Sequence, residues 1–478
     1  MTQIAERSFS IADLEFFANE SGDRNPIHVD ALQARRLLGG ALVTHGILAL
    51  LWALDRFCTN GIGIPQRIEA TFHRPILVGH SVKLFQEIDS LDSNCVRLSI
   101  RGAEEMTTII VTTGGKLISK IPLLGSITER FPKDLTFAQL KGMSGTFPVI
   151  CNETMLTKGF PALIGALGAM PVGALMGLSR LVGMDCPGRH SLFSGLDVEF
   201  SDSATESNAS WRVVRHTISQ APVRIAVSGG GLVGCVDAFV RPSPVQQPSM
   251  DEIMPTVSNV AYKGQVALIV GGSRGLGELT AKIIAAGGGE VIITYMHGKE
   301  DAMRVASEIR AHGGLCRVIQ MDVMQPDAAL DGMIDETASL VTHCYYFASP
   351  KISQQRKTVF DPLLYESFCQ VYVQAFGNLV NALSKRLPKG LCVFYPSTIF
   401  IEEGLREFGE YIIAKTAGEA LCQHFNRHSK KKFILVHRLP RLPTDQTAGL
   451  IRRDMANSLA ELTQAVTELH CYFDTKEN

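Results

Sequence analysis

The first 250 residues lie on themselves at an offset of 128 without a gap, bringing Gly40-Ala-Leu onto Gly168-Ala-Met and Ile68-Glu-Ala-Thr-Phe72 onto Leu196-Asp-Val-Glu-Phe200. An ungapped offset means one folding unit present twice. Each copy reads as a long apolar helix, about residues 41–57 and 163–182, then a Gly/Pro turn. Alternating strands such as Val82–Ile88 and Arg212–Ser219 follow. A helix wrapped by a curved antiparallel sheet satisfies that order, because half-buried strands need one apolar partner to cover.

The stretch Arg241-Pro-Ser-Pro-Val-Gln-Gln-Pro-Ser249 has little to bury and few amide donors, so it reads as a linker. Beyond it, Val266–Val270, Val291–Tyr295 and Cys316–Asp322 are strand-like runs, the first two separated by a helical stretch. Strands alternating with helices predict a doubly wound parallel sheet. The expected organisation is therefore residues 1–124 and 125–240 as the two copies, 241–262 as linker and 263–478 as the α/β domain.

A formal net charge of -1 gives no electrostatic case for nucleic acid or an anionic membrane. Eleven cysteines without a CxxC pair argue against a zinc site or a disulfide framework and for a reducing, cytoplasmic setting. Met1–Ser10 contains no apolar core of a secretory signal. The uncharged run Phe160–Ser179 is long enough to span a bilayer, but Pro161, Pro171 and four internal glycines favour a buried helix. His424 and His428 stand one helical turn apart without a further ligand, so no metal is expected.

Chemistry is concentrated in two places. Near the start, Ser21-Gly-Asp-Arg-Asn-Pro-Ile-His28-Val-Asp30 sets a carboxylate and an imidazole about an Asn-Pro turn. Leu42-Val-Thr-His45-Gly46-Ile-Leu and Phe72-His-Arg-Pro-Ile-Leu-Val-Gly79 follow. Dehydrating a 3-hydroxyacyl thioester needs a base for the C2 proton and an acid for the leaving hydroxyl. The three motifs together resemble the MaoC-like, R-specific enoyl-CoA hydratases of hot-dog fold over about 115 residues.

That resemblance implies Asp23 and His28 as the catalytic pair that holds a water, with Asn25 supporting their loop. Backbone amides near His45 and Gly46 would stabilise the enolate oxygen. In the second copy Cys151 and Leu156 occupy the positions of the pair, so that copy is degenerate and serves packing or acyl binding. In eukaryotic-type relatives of this family the intact half comes second; here it comes first.

Near the end, Val270-Gly271-Gly-Ser273-Arg274-Gly275-Leu276-Gly277 follows a strand and opens a helix, where backbone amides and the helix dipole can meet a pyrophosphate. With Asp322-Val323 and Tyr411-x-x-x-Lys415 it resembles the short-chain dehydrogenases over residues 263–445. The resemblance implies Tyr411 as the acid that protonates a carbonyl. Lys415 would bind ribose and lower the phenol's pKa, and a hydroxyl from Ser397 or Thr398 would polarise the substrate.

It also implies cofactor contacts at Gly271, Ser273, Arg274, Gly275, Leu276, Gly277, Asp322, Val323, Ala348, Tyr411 and Lys415. Phe347-Ala348-Ser349 replaces the customary Asn-Ala-Gly, Gln374 takes the helix position often held by asparagine, and Pro440-Arg441 replaces Pro-Gly. NADPH is expected over NADH, since Val291–Tyr295 ends without an acidic residue and Arg274 is available to a 2'-phosphate.

Together the motifs imply a bifunctional, cytoplasmic, homo-oligomeric enzyme. One half would interconvert 3-oxoacyl and 3-hydroxyacyl thioesters and the other 3-hydroxyacyl and enoyl thioesters, on coenzyme A or acyl carrier protein. No nucleic acid or membrane partner is expected. The alternatives are a reductase whose first half only binds acyl groups or dimerises, and a non-enzymatic NADPH-sensing scaffold.

Overall fold

A computed structural model describes residues 1–36, 40–114, 130–150, 152–201, 208–218, 221–333, 340–352, 359–387, 390–429, 432–447 and 455–477. The chain divides into two compact units, the first Met1–Ser243, the second beginning at Pro244.

The first unit is one ten-stranded antiparallel sheet around apolar helices. Its strands are β1 (Thr2–Ser8), β2 (Pro65–Phe72), β3 (Ser81–Ile88), β4 (Cys95–Arg101) and β5 (Glu105–Thr113), then β6 (Ser144–Pro148), β7 (Ser191–Phe200), β8 (Asn208–Arg215), β9 (Val223–Gly229) and β10 (Leu232–Val240). They run in the order β1-β3-β4-β5-β2-β7-β10-β9-β8-β6.

The repeat explains the seam. β2 pairs β7 with Ile68 opposite Val198, Ala70 opposite Leu196 and Glu69 opposite Asp197. Ile68 thus faces the counterpart of Ala70, Ala70 faces the counterpart of Ile68, and Glu69 faces its own counterpart, so the copies meet about a local twofold at that pair.

The helix Gly46–Thr59 has Ile47, Leu48, Leu50, Leu51, Leu54 and Phe57 all buried against the sheet. Each such side chain contributes roughly 1.5–3 kcal/mol of burial. Its counterpart is not the single helix the periodicity predicts over 163–182. Pro161–Leu167 and Ala169–Arg180 are set at 113°, and a π-turn, Leu181–Asp185, extends the second.

The break sits at Gly168, whose φ of +84° favours glycine. Pro171 is tolerated because it lies in the first turn of the second piece. Among the described residues no single helix is long and apolar enough to cross a membrane. The expected strand Arg212–Ser219 is displaced to Asn208–Arg215, and Ser219 lies outside the described residues, as does the expected boundary at 124.

The second unit holds a six-stranded parallel sheet of β11 (Val266–Val270), β12 (Glu290–Tyr295), β13 (Cys316–Gln320), β14 (His343–Tyr346), β15 (Leu391–Thr398) and β16 (Lys432–Leu439), ordered β13-β12-β11-β14-β15-β16. β11 and β15 are buried almost throughout, as strands covered on both faces must be. Strand order reverses between β11 and β14, which opens a crevice at their carboxyl ends.

The linker expected over 241–262 is shorter than its composition suggests. Met250–Ile253 is a helical turn closed by a Ser249/Glu252 capping box, and Met250, Ile253 and Tyr262 are core residues of the second unit.

Candidate active sites

The helix Ile11–Ser21 ends at Gly22, whose φ of +75° suits a left-handed cap, and the chain turns inward there. Asp23, Asn25 and His45 are buried and His28 is partly buried. The ligand atoms of Asp23, His28 and His45 all lie within 4.8 Å of one another.

His28 Nδ1 donates to the Val43 carbonyl at 2.6 Å. A carbonyl can only accept, so the Nε2 lone pair of neutral His28 is left for chemistry. His45 Nε2 donates to the Asp23 carbonyl at 3.1 Å, and its ring stacks on that of His28 with centroids 3.8 Å apart.

The Asp23 loop is braced by the second copy of the repeat. Ser179 Oγ donates to Asp23 Oδ2 at 2.6 Å, and Asn25 Nδ2 donates to the Gly183 carbonyl at 2.8 Å and to those of Gly188 and Arg189 at 3.2 and 3.3 Å. A Cβ at Gly183 would collide with the Asp23 carboxylate. No motif announced Ser179 or Gly183; only the fold brings copy two against this loop. Leu156 is buried as an apolar core residue. Cys151 lies outside the described residues.

Burial raises the Asp23 carboxyl above its ordinary range, opposed by the charge of His28, the Ser179 hydroxyl and the Asn25 amide. Burial lowers His28 and His45; the Asp23 charge opposes this at His28, while Arg241 reinforces it. Asp23, His28 and His45 are the one metal-capable group among the described residues. Each ring already donates one N–H to a backbone carbonyl, His28 to Val43 and His45 to Asp23. The arrangement suits proton transfer instead.

Next to this cluster, helix Gly46–Thr59 begins at His45 with no side-chain cap, and the first-turn amides have no partner within the helix. They are donors placed beside the Asp23/His28 pair.

In the second unit, Tyr411 and Lys415 lie on helix Gly409–His428 and both are buried. Tyr411 shares a hydrogen bond with Thr398. Ser397 faces away, its hydroxyl donating to Glu419 Oε1 at 2.5 Å, and Glu419 is clamped by Arg438 at 2.9 and 2.7 Å. Of the two candidate hydroxyls the structure thus brings only Thr398 to the phenol, because successive strand residues face opposite sides.

The Tyr411 phenol is pushed up to about 12 by burial, with Thr398 opposing. The expected lowering by Lys415 is not found, since its Nζ donates to the Pro396 carbonyl at 2.6 Å and sits over aromatic faces. Burial brings Lys415 down to about 7.

Gln374 does not reach this site. Pro362–Cys369 and Phe376–Arg386 are joined through a π-turn, Gln370–Ala375, which leaves Gln374 exposed and turns Tyr372 inward. The Tyr372 ring lies 4.1 Å from Lys415 Nζ, and its hydroxyl is 2.6 Å from Ser349 Oγ. Tyr372 and Glu419 are site neighbours that the motif had not indicated, and Ser349, from the altered Asn-Ala-Gly motif, joins them.

The glycine turn fits a dinucleotide. Gly271 and Gly275 have φ of +81° and +60°, and a Cβ at Gly277 would collide with the Gly271 carbonyl oxygen. Ser273 and Arg274 complete the turn, Leu276 begins the helix Gly275–Ala286 with Gly277, and the start of that helix carries no side-chain cap. Asp322 closes the loop after β13 by accepting from the Met324 amide at 2.9 Å, with Val323 between, and Ala348 follows β14. Arg274 is ion-paired with Asp445 at 3.0 Å, beyond β16.

Residues 265–440 match the family model for short chain dehydrogenases. An uncharacterised oxidoreductase of Mycobacterium tuberculosis is 26% identical over 245 residues, covering 42% of this chain and 67% of that protein. The 3-oxoacyl-[acyl-carrier-protein] reductase of a Synechocystis species is 39% identical over 77 residues, 16% of this chain and 31% of the relative. Among solved structures, the angucycline C-6 ketoreductase LanV with bound NADP is similar at 19% identity and a TM-score of 0.40, covering 45% of this chain and 90% of that one.

Proposed function

We propose, from the premise that residues 265–440 form a short-chain dehydrogenase domain, that the protein is a two-site enzyme of acyl thioesters. The carboxy-terminal unit is an NADPH-dependent 3-oxoacyl-thioester reductase. The amino-terminal unit is a double hot-dog dehydratase that interconverts (R)-3-hydroxyacyl and enoyl thioesters. A relative named as a 3-oxoacyl-[acyl-carrier-protein] reductase supports the first substrate class. The observation that carries the second activity is the buried cluster in which Asp23, His28 and His45 meet at the uncapped start of helix Gly46–Thr59.

In the hydration direction the ionised Asp23 carboxylate and the Nε2 lone pair of His28 are two acceptors for one water. They take its proton as oxygen adds to C3 and return a proton to C2 on the same face. The amides at Gly46 and the next residues stabilise the enolate oxygen, a contribution of roughly 3 kcal/mol in comparable sites. Ser179 and Asn25 hold the carboxylate in place.

In the reductase, Gly271, Ser273, Arg274, Gly275, Leu276 and Gly277 would hold the cofactor, with Asp322, Val323 and Ala348 bordering it. NADPH when bound supplies the hydride. Thr398 and Tyr411 receive the carbonyl oxygen, Tyr411 gives it a proton, and Lys415 holds positive charge beside the phenol. A reducing, cytoplasmic setting belongs to this reading, since the described cysteines are free thiols.

Purified protein should hydrate crotonyl-CoA without cofactor and oxidise NADPH with acetoacetyl-CoA. Absence of the first with retention of the second would leave only the reductase.

A further inference from the structure

We infer that Tyr372 is a positioning residue that fixes the charge and aim of Lys415 through its aromatic face. The inference rests on the reading of Lys415 as the partner of Tyr411.

Lys415 is buried, and among the described residues no carboxylate lies within ion-pair distance of its Nζ. The acid one helical turn on, Glu419, is already held by Ser397 and Arg438. What surrounds the ammonium is the Pro396 carbonyl at 2.6 Å, the Tyr372 ring at 4.1 Å and the Tyr395 ring at 4.8 Å. A desolvated cation over a ring face is attracted by the ring quadrupole, so the nearer ring has the stronger hold.

The Tyr372 ring is fixed from several sides. Its hydroxyl meets Ser349 Oγ at 2.6 Å, its carbonyl accepts from the Tyr395 hydroxyl at 3.1 Å, and its ring meets that of Tyr411 edge-on with centroids 5.6 Å apart. One side chain thus touches both members of the Tyr411/Lys415 pair. It reaches them because the π-turn Gln370–Ala375 adds a residue to the helical register.

The other titratable groups facing Lys415 are Glu419 and Cys422, both of which favour its charged form, and the phenols of Tyr395 and Tyr411. Burial works against them and brings Lys415 down to about 7. Removing the ring removes one of the few groups that favour the ammonium.

The test is a pH titration of the Lys415 ammonium by NMR in full-length protein carrying nitrogen-15-labelled lysine, the signal assigned by its loss in Lys415→Met. Tyr372→Phe keeps the ring and should leave the midpoint where the parent has it. Tyr372→Met keeps most of the volume without the ring, and should lower the midpoint by about one pH unit or more. Tyr372→Leu replaces it if the methionine variant does not fold. The pH limb of ketoreduction should move with the midpoint. Equal midpoints with and without the ring would overturn the inference. A shifted midpoint in protein that reduces no 3-oxoacyl thioester would uphold it and count against the reductase reading instead.

Discussion

The hydroxyl of Ser179 donates to the carboxylate of Asp23 at 2.6 Å, joining positions 156 residues apart. Copy two of the repeat, which lacks the Asp/His pair of copy one at the described position, Leu156, therefore supplies part of the packing around copy one's Asp23. In Ser179→Ala the buried carboxylate loses a donor that favours its ionised form, so its pKa rises further. Hydration of crotonyl-CoA needs the ionised form, and the acid limb of its pH profile should move to higher pH. A pH–rate profile of parent and variant measures the shift; an unmoved limb would show that Asp23 is not the group titrating.

Ser397 and Thr398 are adjacent in sequence but belong to different networks. Thr398→Val should lower ketoreduction roughly 10²-fold with little change in NADPH affinity, since it removes one donor to the carbonyl oxygen. Ser397→Ala should leave turnover near the parent's and instead cost about 1–3 kcal/mol of stability by taking a hydrogen bond from Glu419. Steady-state kinetics beside urea denaturation separates the two. The opposite pattern would reassign the polarising hydroxyl.

Much of this was legible in the chain. The offset of 128 anticipated two like copies, and the exchange of partners about Glu69 and Asp197 is what that repeat becomes in a sheet. Strand alternation limited the polarising hydroxyl to one of two adjacent residues, but choosing Thr398 required knowing that Glu419 waits on the other side. Gln374 stands at the helix position often held by asparagine, but the π-turn Gln370–Ala375 leaves it exposed and turns Tyr372 inward instead. Residues 250–262 looked like linker because prolines surround them, while the burial of Met250, Ile253 and Tyr262 depends on a partner surface no local pattern reveals.

The Arg274–Asp445 ion pair occupies the guanidinium expected to meet a 2'-phosphate. Asp445→Asn releases it and should tighten NADPH relative to NADH by about tenfold, the size of one charge-assisted contact. Arg274→Ala should narrow the preference from the other side. Fluorescence titration with both cofactors measures the ratio. No change in Asp445→Asn would place Arg274 outside phosphate recognition.

Lys415, with its pKa lowered to about 7, carries a charge that is present below that pH and lost above it. Ketoreduction with saturating NADPH should therefore fall as pH rises through about 7, and Lys415→Met should be both slow and flat across that range. Stopped-flow measurement of NADPH oxidation from pH 6 to 9, chosen to bracket about 7, checks the limb. A parent profile that is flat there would mean that the charge of Lys415 does not govern the step.

The most direct test of a two-site enzyme is to measure crotonyl-CoA hydration and acetoacetyl-CoA reduction in one preparation of Asp23→Asn, beside the parent. The substitution preserves the shape of a side chain hydrogen-bonded by Ser179 while removing its charge. Hydration should fall by roughly 10²-fold or more, the scale of losing one acid–base group, while reduction stays within about twofold because the two sites belong to separate compact units. A parent protein that reduces acetoacetyl-CoA but never hydrates crotonyl-CoA, or an Asp23→Asn protein that hydrates it as well as the parent, would contradict the account.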